Sequence, residues 1–146
     1  REDEFLNEIG KIESVRSRLT LIGERIEEEN AHSKNMLLSR TRYFAPASHS
    51  LRFYNEYFKP IRATEIEKDR LRYLIEFKGT EFFVNLDTLM KPELGKFLEI
   101  KSRTWSREDA DYKTSLIHDL FEQLGIHTEQ FVTEDYLQMV ESKIDK

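Results

Sequence analysis

Arg70-Leu71-Arg72-Tyr73-Leu74-Ile75-Glu76-Phe77-Lys78-Gly79-Thr80-Glu81-Phe82-Phe83-Val84-Asn85-Leu86-Asp87 is the stretch on which the fold turns. Two apolar-rich, alternating runs flank a Lys-Gly-Thr turn signal, so residues 70–77 and 81–86 are expected to form a β-hairpin. Alternation sorts the side chains by face. Leu71, Tyr73, Ile75 and Phe77 share one face. Arg70, Arg72 and Glu76 share the other, and Lys68 joins them if the strand begins earlier. On the returning strand Phe82, Val84 and Leu86 oppose Phe83, Asn85 and Asp87.

Working outward, Pro92-Glu93-Leu94-Gly95 reads as a loop and Lys96 to Arg103 as the last strand, with Leu98, Ile100 and Ser102 opposing Phe97, Glu99, Lys101 and Arg103. Upstream, Ile61 to Phe77 reads as one bent strand or two. Leu51 to Phe58 (LRFYNEYF) reads as a strand ended by Lys59-Pro60, because proline cannot donate to a ladder. Leu38 to Phe44 (LSRTRYF) is a further strand, on which Arg40 and Arg42 lie together. Strand follows strand without an intervening helix, so the sheet should be antiparallel.

Both ends read as helical. At the C-terminal end Ser106 is a good N-cap, with Glu108 and Asp109 in the first turn and an apolar stripe running to Gly125. Thr133 should cap a second helix from Glu134 to about Ser142. At the N-terminal end Phe5, Ile9, Ile12, Val15, Leu19, Ile22 and Ile26 recur every three or four residues, which predicts a helix from Glu2 to about Asn30. Gly10 and Gly23 each cost that helix about 1 kcal/mol, and a short strand over Arg18 to Ile22 is the alternative. Its seam would pack on the rest of the chain, on a second copy in a homodimer, or on an upstream domain. The expected class is therefore α+β. An antiparallel sheet, curved or closed into a tunnel-like barrel, would carry a long N-terminal helix and two C-terminal helices. Residues 1–35 would be the helical segment or linker and residues 36–146 the β domain.

Composition narrows the function classes. The chain has 146 residues, 35% charged and 38% hydrophobic, which suits one domain. It has no cysteine, so thiolate chemistry and Cys-based zinc sites are excluded. No apolar run reaches the roughly 18 residues of a membrane helix, and no secretory signal pattern is visible, so a soluble, cytoplasmic domain without a membrane partner is expected. A net charge of -5 argues against a general nucleic-acid binder. The four histidines have no zinc-site spacing, and no phosphate-binding glycine loop is present.

The charged face admits two readings. It is the solvated side of an ordinary antiparallel sheet, or it curves inward. If it curves inward, Arg40, Arg42, Lys68, Arg70, Arg72 and Lys101 would surround a polyanion while Glu99 and Asp87 hold Mg²⁺ or Mn²⁺ against it.

Three segments carry a family resemblance: Ile66-Glu67-Lys68-Asp69-Arg70, Gly79 to Asp87 (GTEFFVNLD), and Leu94 to Lys101 (LGKFLEIK). In this order they resemble the C-terminal half of a CYTH domain, over roughly Ile61 to Val140. This is the triphosphate tunnel metalloenzyme family, which includes class IV adenylate cyclases, thiamine triphosphatases and inorganic triphosphatases. The resemblance implies a nucleotide or inorganic triphosphate as ligand, a divalent cation, and hydrolase or lyase chemistry at the triphosphate. Lys68 and Arg70 match the phosphate-binding K-x-R strand, Glu99 matches the first, metal-ligating Glu of F-x-E-I-E, and Asp87 matches the Asp of the L-D pair. Arg40 and Arg42 resemble the Arg-rich strand. Two departures stand out. Lys101 replaces the second Glu of E-I-E, and no E-x-E-x-K strand precedes the match. These departures point to a fragment of a larger protein or to a non-catalytic phosphate-sensing or interaction module.

Overall fold

The computed structural model describes residues 1–22 and 41–144. They divide into two compact units, residues 1–22 with 41–63, and residues 64–144.

The first unit begins with a hairpin where a helix was expected. Asn7 Oδ1 accepts hydrogen bonds from the backbone N–H of Ile9 and Lys11 at 3.1 and 3.0 Å, and Gly10 closes the turn at φ +77°. This local turn chemistry outcompetes helix propagation. Strand β1 (Glu2–Leu6) therefore folds back antiparallel on β2 (Ile12–Ile22), with Asp3 opposite Arg16 and Glu4 opposite Val15. The expected long N-terminal helix is overturned over residues 2–22, and its last stretch, residues 23–30, lies outside the described residues. Strand β3 (Thr41–Pro46) adds to the other edge of β2, giving the order β1-β2-β3.

Leu51 to Phe58 is helix α1, not a strand. Ser50 Oγ accepts from the Phe53 N–H, Arg52 Nε donates to Glu56 Oε1 at 2.8 Å one turn on, and Lys59 stops the helix in the left-handed region at φ 47°. Among the described residues this unit buries no side chain completely.

The second unit is built on the expected hairpin. Lys78 and Gly79 both take positive φ, 50° and 74°, as a two-residue hairpin loop requires. Strand β4 (Glu67–Phe77) thereby pairs antiparallel with β5 (Thr80–Lys91). Strand β6 (Glu93–Lys101) returns almost at once, so the loop expected at Pro92–Gly95 contracts to a tight turn, with Gly95 at φ +100° beside a register shift. The sheet order is β4-β5-β6. The expected tunnel-like barrel is thus also overturned. The described residues form two open three-stranded sheets, and three strands leave two free edges rather than closing.

One face of this sheet is dry around Phe82, while Leu71, Tyr73 and Leu86 on the same face stay exposed. Phe82 is fully buried against Leu116 and Ile117 of α2 (Arg107–Gln123), with Ile75, Phe77, Ile100 and Phe121 packed around them. Each such buried side chain is worth about 1.5–3 kcal/mol of transfer free energy. Ser106 Oγ caps α2 by accepting from the Asp109 N–H at 3.1 Å. Helix α3 (Tyr136–Ile144) starts later than Thr133 would place it, because Asp135 and Gln138 form a reciprocal capping box at 2.9 Å in each direction. No helix among the described residues is long and apolar enough to cross a membrane.

Candidate functional site

The other face of the β4-β5-β6 sheet carries the charge, and the hairpin register sets its geometry. Because the turn fixes Phe77 opposite Thr80, Arg72 falls opposite Asn85 and Arg70 opposite Asp87. On the far side of β5, Asn85 faces Glu99, Asp87 faces Phe97, and Phe83 faces Lys101. Two polar rows therefore cross the sheet side by side.

In the first row Arg72 Nε donates to Asn85 Oδ1 at 2.8 Å, and Asn85 Nδ2 donates to Glu99 Oε2 at 3.0 Å. Asn85 is fully buried, and its amide relays between a cation and a carboxylate on opposite edge strands. In the second row Arg70 grips Asp87 with two parallel hydrogen bonds, Nε to Oδ1 at 2.6 Å and Nη2 to Oδ2 at 2.5 Å. The same Nη2 reaches Glu99 Oε2 at 2.8 Å and ties the rows together. Lys68 Nζ donates to Asp87 Oδ2 at 2.9 Å.

Helix α3 supplies the last partner. Tyr136 Oη donates to Asp87 Oδ2 at 2.7 Å, its ring lies edge-on to Phe97, and Lys68 Nζ sits 4.4 Å from the ring centroid. Asp87 is 1% exposed. Burial alone would raise its pKa, but the donors Arg70, Lys68 and Tyr136 outweigh burial and hold the carboxyl well below the usual carboxylate range. Burial and the adjacent Asp87 charge drive the Tyr136 phenol far above its ordinary value. Burial draws Lys68 below the ordinary lysine range, against the opposing pull of Asp87.

The sequence-predicted residues thus separate. Lys68, Arg70, Arg72, Asp87, Glu99 and Lys101 come together on one face, and Lys101 Nζ pairs with Glu99 Oε1 at 2.7 Å. Arg40 lies outside the described residues, and Arg42 belongs to β3 of the other unit. Asn85 and Tyr136 were not among the expected site residues. Asn85 announces itself only as an amide on a charged face, and Tyr136 only once α3 is docked. No family model, no curated protein and no solved structure matches this chain.

The donor set bears on the expected cation. Both oxygens of Asp87 are occupied by Arg70, and one also takes Lys68 and Tyr136, so this carboxylate is spent on internal partners. Glu99 is more exposed, at 30% of its side chain, but both of its oxygens are also engaged, Oε2 by Arg70 and Asn85 and Oε1 by Lys101. Among the described residues no group of three or more His, Asp or Glu is placed to hold a metal ion. A Mg²⁺ ion can bind through one or two carboxylates when phosphate oxygens and water complete its shell, and here it would have to displace Lys101 from Glu99 Oε1.

Proposed function

We propose that the charged face of the β4-β5-β6 sheet binds the triphosphate of a nucleotide or of inorganic triphosphate. The observation that carries this reading is the convergence of Lys68, Arg70, Arg72 and Lys101 on the two polar rows that hold Asp87, Asn85 and Glu99. Arginine forks match phosphate geometry, and Arg70 is already held in place by its grip on Asp87. The resemblance of the K-x-R and F-x-E-I segments to the CYTH family supports the same ligand class. The ligand would act at the more accessible end of this face, where the Lys101 and Glu99 side chains are 52% and 30% exposed, and not within a tunnel.

In this reading Glu99 holds Mg²⁺ or Mn²⁺ together with ligand oxygens, and the cation supplies charge neutralisation at the triphosphate. Arg and Lys side chains orient the phosphates. Such an arrangement serves triphosphate hydrolysis or a cyclase-type displacement when a nucleophile is supplied. A second reading is a non-catalytic phosphate-sensing module. It is favoured by the internal use of Asp87 and by Lys101, which puts a positive charge where a second metal-binding carboxylate would sit.

Thermal melts with tripolyphosphate and ATP, each with and without Mg²⁺, test the proposal. At about 100 times Kd a ligand adds roughly 2.7 kcal/mol, raising Tm by roughly 5–10 °C for a chain of this size. A rise with triphosphate and not with monophosphate supports the site, cation dependence favours the first reading, and no rise with any of them refutes both.

A further inference from the structure

The first unit carries a second cluster of guanidinium groups, unrelated to the charged face of the second. Arg16 and Arg18 are two apart on β2, the central strand of the β1-β2-β3 sheet, so they project from the same face. The register places Asp3 and Phe5 of β1 and Phe44 of β3 on that face with them. Glu2 and Glu4 fall on the opposite face, leaving Asp3 as the acidic residue of the described strands on this side.

Asp3 is shared by three guanidiniums. Arg1 Nε is 2.5 Å from Oδ1, Arg18 Nη2 is 2.6 Å from Oδ2, and Arg16 Nη2 is 3.6 Å from Oδ2, beyond hydrogen-bond reach. One carboxylate cannot satisfy that many N–H donors. Arg18 Nε is buried without a hydrogen-bond partner, so this guanidinium is incompletely satisfied by the protein. The Arg16 side chain is 53% exposed and has its donors to spare.

The two groups are also held in position. The Arg16 guanidinium lies over the Phe5 ring at 5.2 Å and that of Arg18 over the Phe44 ring at 5.6 Å. Cation–π contact of this kind fixes a long side chain before a ligand arrives and reduces the ordering cost of binding. Alternate residues on a strand are roughly 7 Å apart, a span that one tetrahedral oxyanion can bridge with a hydrogen bond to each side.

We infer that Arg16 and Arg18 form an oxyanion fork on the first unit that takes a phosphate group, as a monoester or as the terminal phosphate of a polyphosphate. The aromatic rings beneath the guanidiniums set their positions, and Asp3 keeps the pair from carrying its full charge when empty. The fork does not depend on the proposed role of Lys68 and Arg70.

The test is a titration of the ¹⁵N-labelled full chain with inorganic tripolyphosphate, with AMP, and with sodium chloride at matched ionic strength, following the arginine Nε–Hε signals. Arg16→Gln and Arg18→Lys assign the two signals. Saturable shifts of both with tripolyphosphate, absent with chloride, are expected, and Arg16→Gln should weaken the response about tenfold. A response to AMP as well extends the ligand to phosphate monoesters. No saturable shift, or the same drift in chloride, overturns the fork. The Arg70 and Arg72 signals report on the second unit in the same spectra, so failure at one site is read separately from failure at the other.

Discussion

Arg70 brackets Asp87 across the β4–β5 ladder, with Nε on one carboxylate oxygen at 2.6 Å and Nη2 on the other at 2.5 Å. The two residues are directly opposed in the register, so the contact is set by the Lys78-Gly79 turn eight residues up the strand. Lys68 and Tyr136 complete the shell of the same carboxylate. Asp87 is therefore an internal counter-ion that orients the two cations proposed to meet phosphate.

Asp87→Asn separates the counter-ion role from a metal-ligand role. Removing one partner of a buried ion pair costs about 3 kcal/mol or more, so denaturant titration should show a loss of this order. Tripolyphosphate affinity measured without metal should rise in the variant, because Lys68 and Arg70 lose their competitor. Unchanged metal-free affinity together with loss of any Mg²⁺ effect would instead make Asp87 a metal ligand.

The depressed Asp87 pKa fixes the sign of an acid effect. A carboxyl whose folded pKa lies below its unfolded value, about 3.9, stabilises the fold fully above that value. The contribution disappears as pH falls below about 4 toward the folded pKa. Wild type should accordingly lose stability steeply below about pH 4, and Asp87→Asn should show a shallower dependence in the same window. Parallel curves for the two proteins would refute the assignment.

Tyr136 is predicted to be the last of the six tyrosines to ionise. Its phenol is favoured in the neutral form by burial and by Asp87, so the stabilisation it supplies is present below about pH 10 and lost as pH rises past that point. An ultraviolet titration should leave one tyrosine protonated until the second unit unfolds. Tyr136→Phe should remove that late step and cost about 1.5–3 kcal/mol, the range for a hydrogen bond to a charged group.

How far the fold was legible differs between the two units for a physical reason. In the second unit one sheet face packs on α2 at Ile75, Phe77 and Phe82, so these positions alternate with polar ones, and the Lys-Gly turn fixes the register of Arg70 and Asp87. In the first unit no side chain of the described residues is buried, so no face selects apolar residues and the period-two signal is lost. The chance spacing of Phe5, Ile9, Ile12 and Val15 then imitates a helix. Asn7 and Gly10 were the local signals for the turn. In Leu51 to Phe58 the aromatic content imitated a strand, while Ser50 as cap and the Arg52–Glu56 pair carried the helical information. Asn85 was hidden because its importance lies in what stands opposite it on both neighbouring strands.

Lys101→Glu restores the carboxylate that the F-x-E-I-E pattern carries and tests what the lysine does. Position 101 is at the end of β6, two residues from Glu99 on the same face, and its side chain is 52% exposed, so the substitution should leave the fold intact. It replaces the Glu99–Lys101 pair with two neighbouring carboxylates, a donor set suited to a hard divalent cation. Mn²⁺ binding followed by calorimetry should strengthen at least tenfold, and tripolyphosphate binding should become dependent on the cation, since the face has lost a positive charge and gained a negative one. If Mn²⁺ binding stays as it is in wild type while metal-free tripolyphosphate binding falls, Lys101 acts as a phosphate contact and the sheet is an anion site without a metal centre.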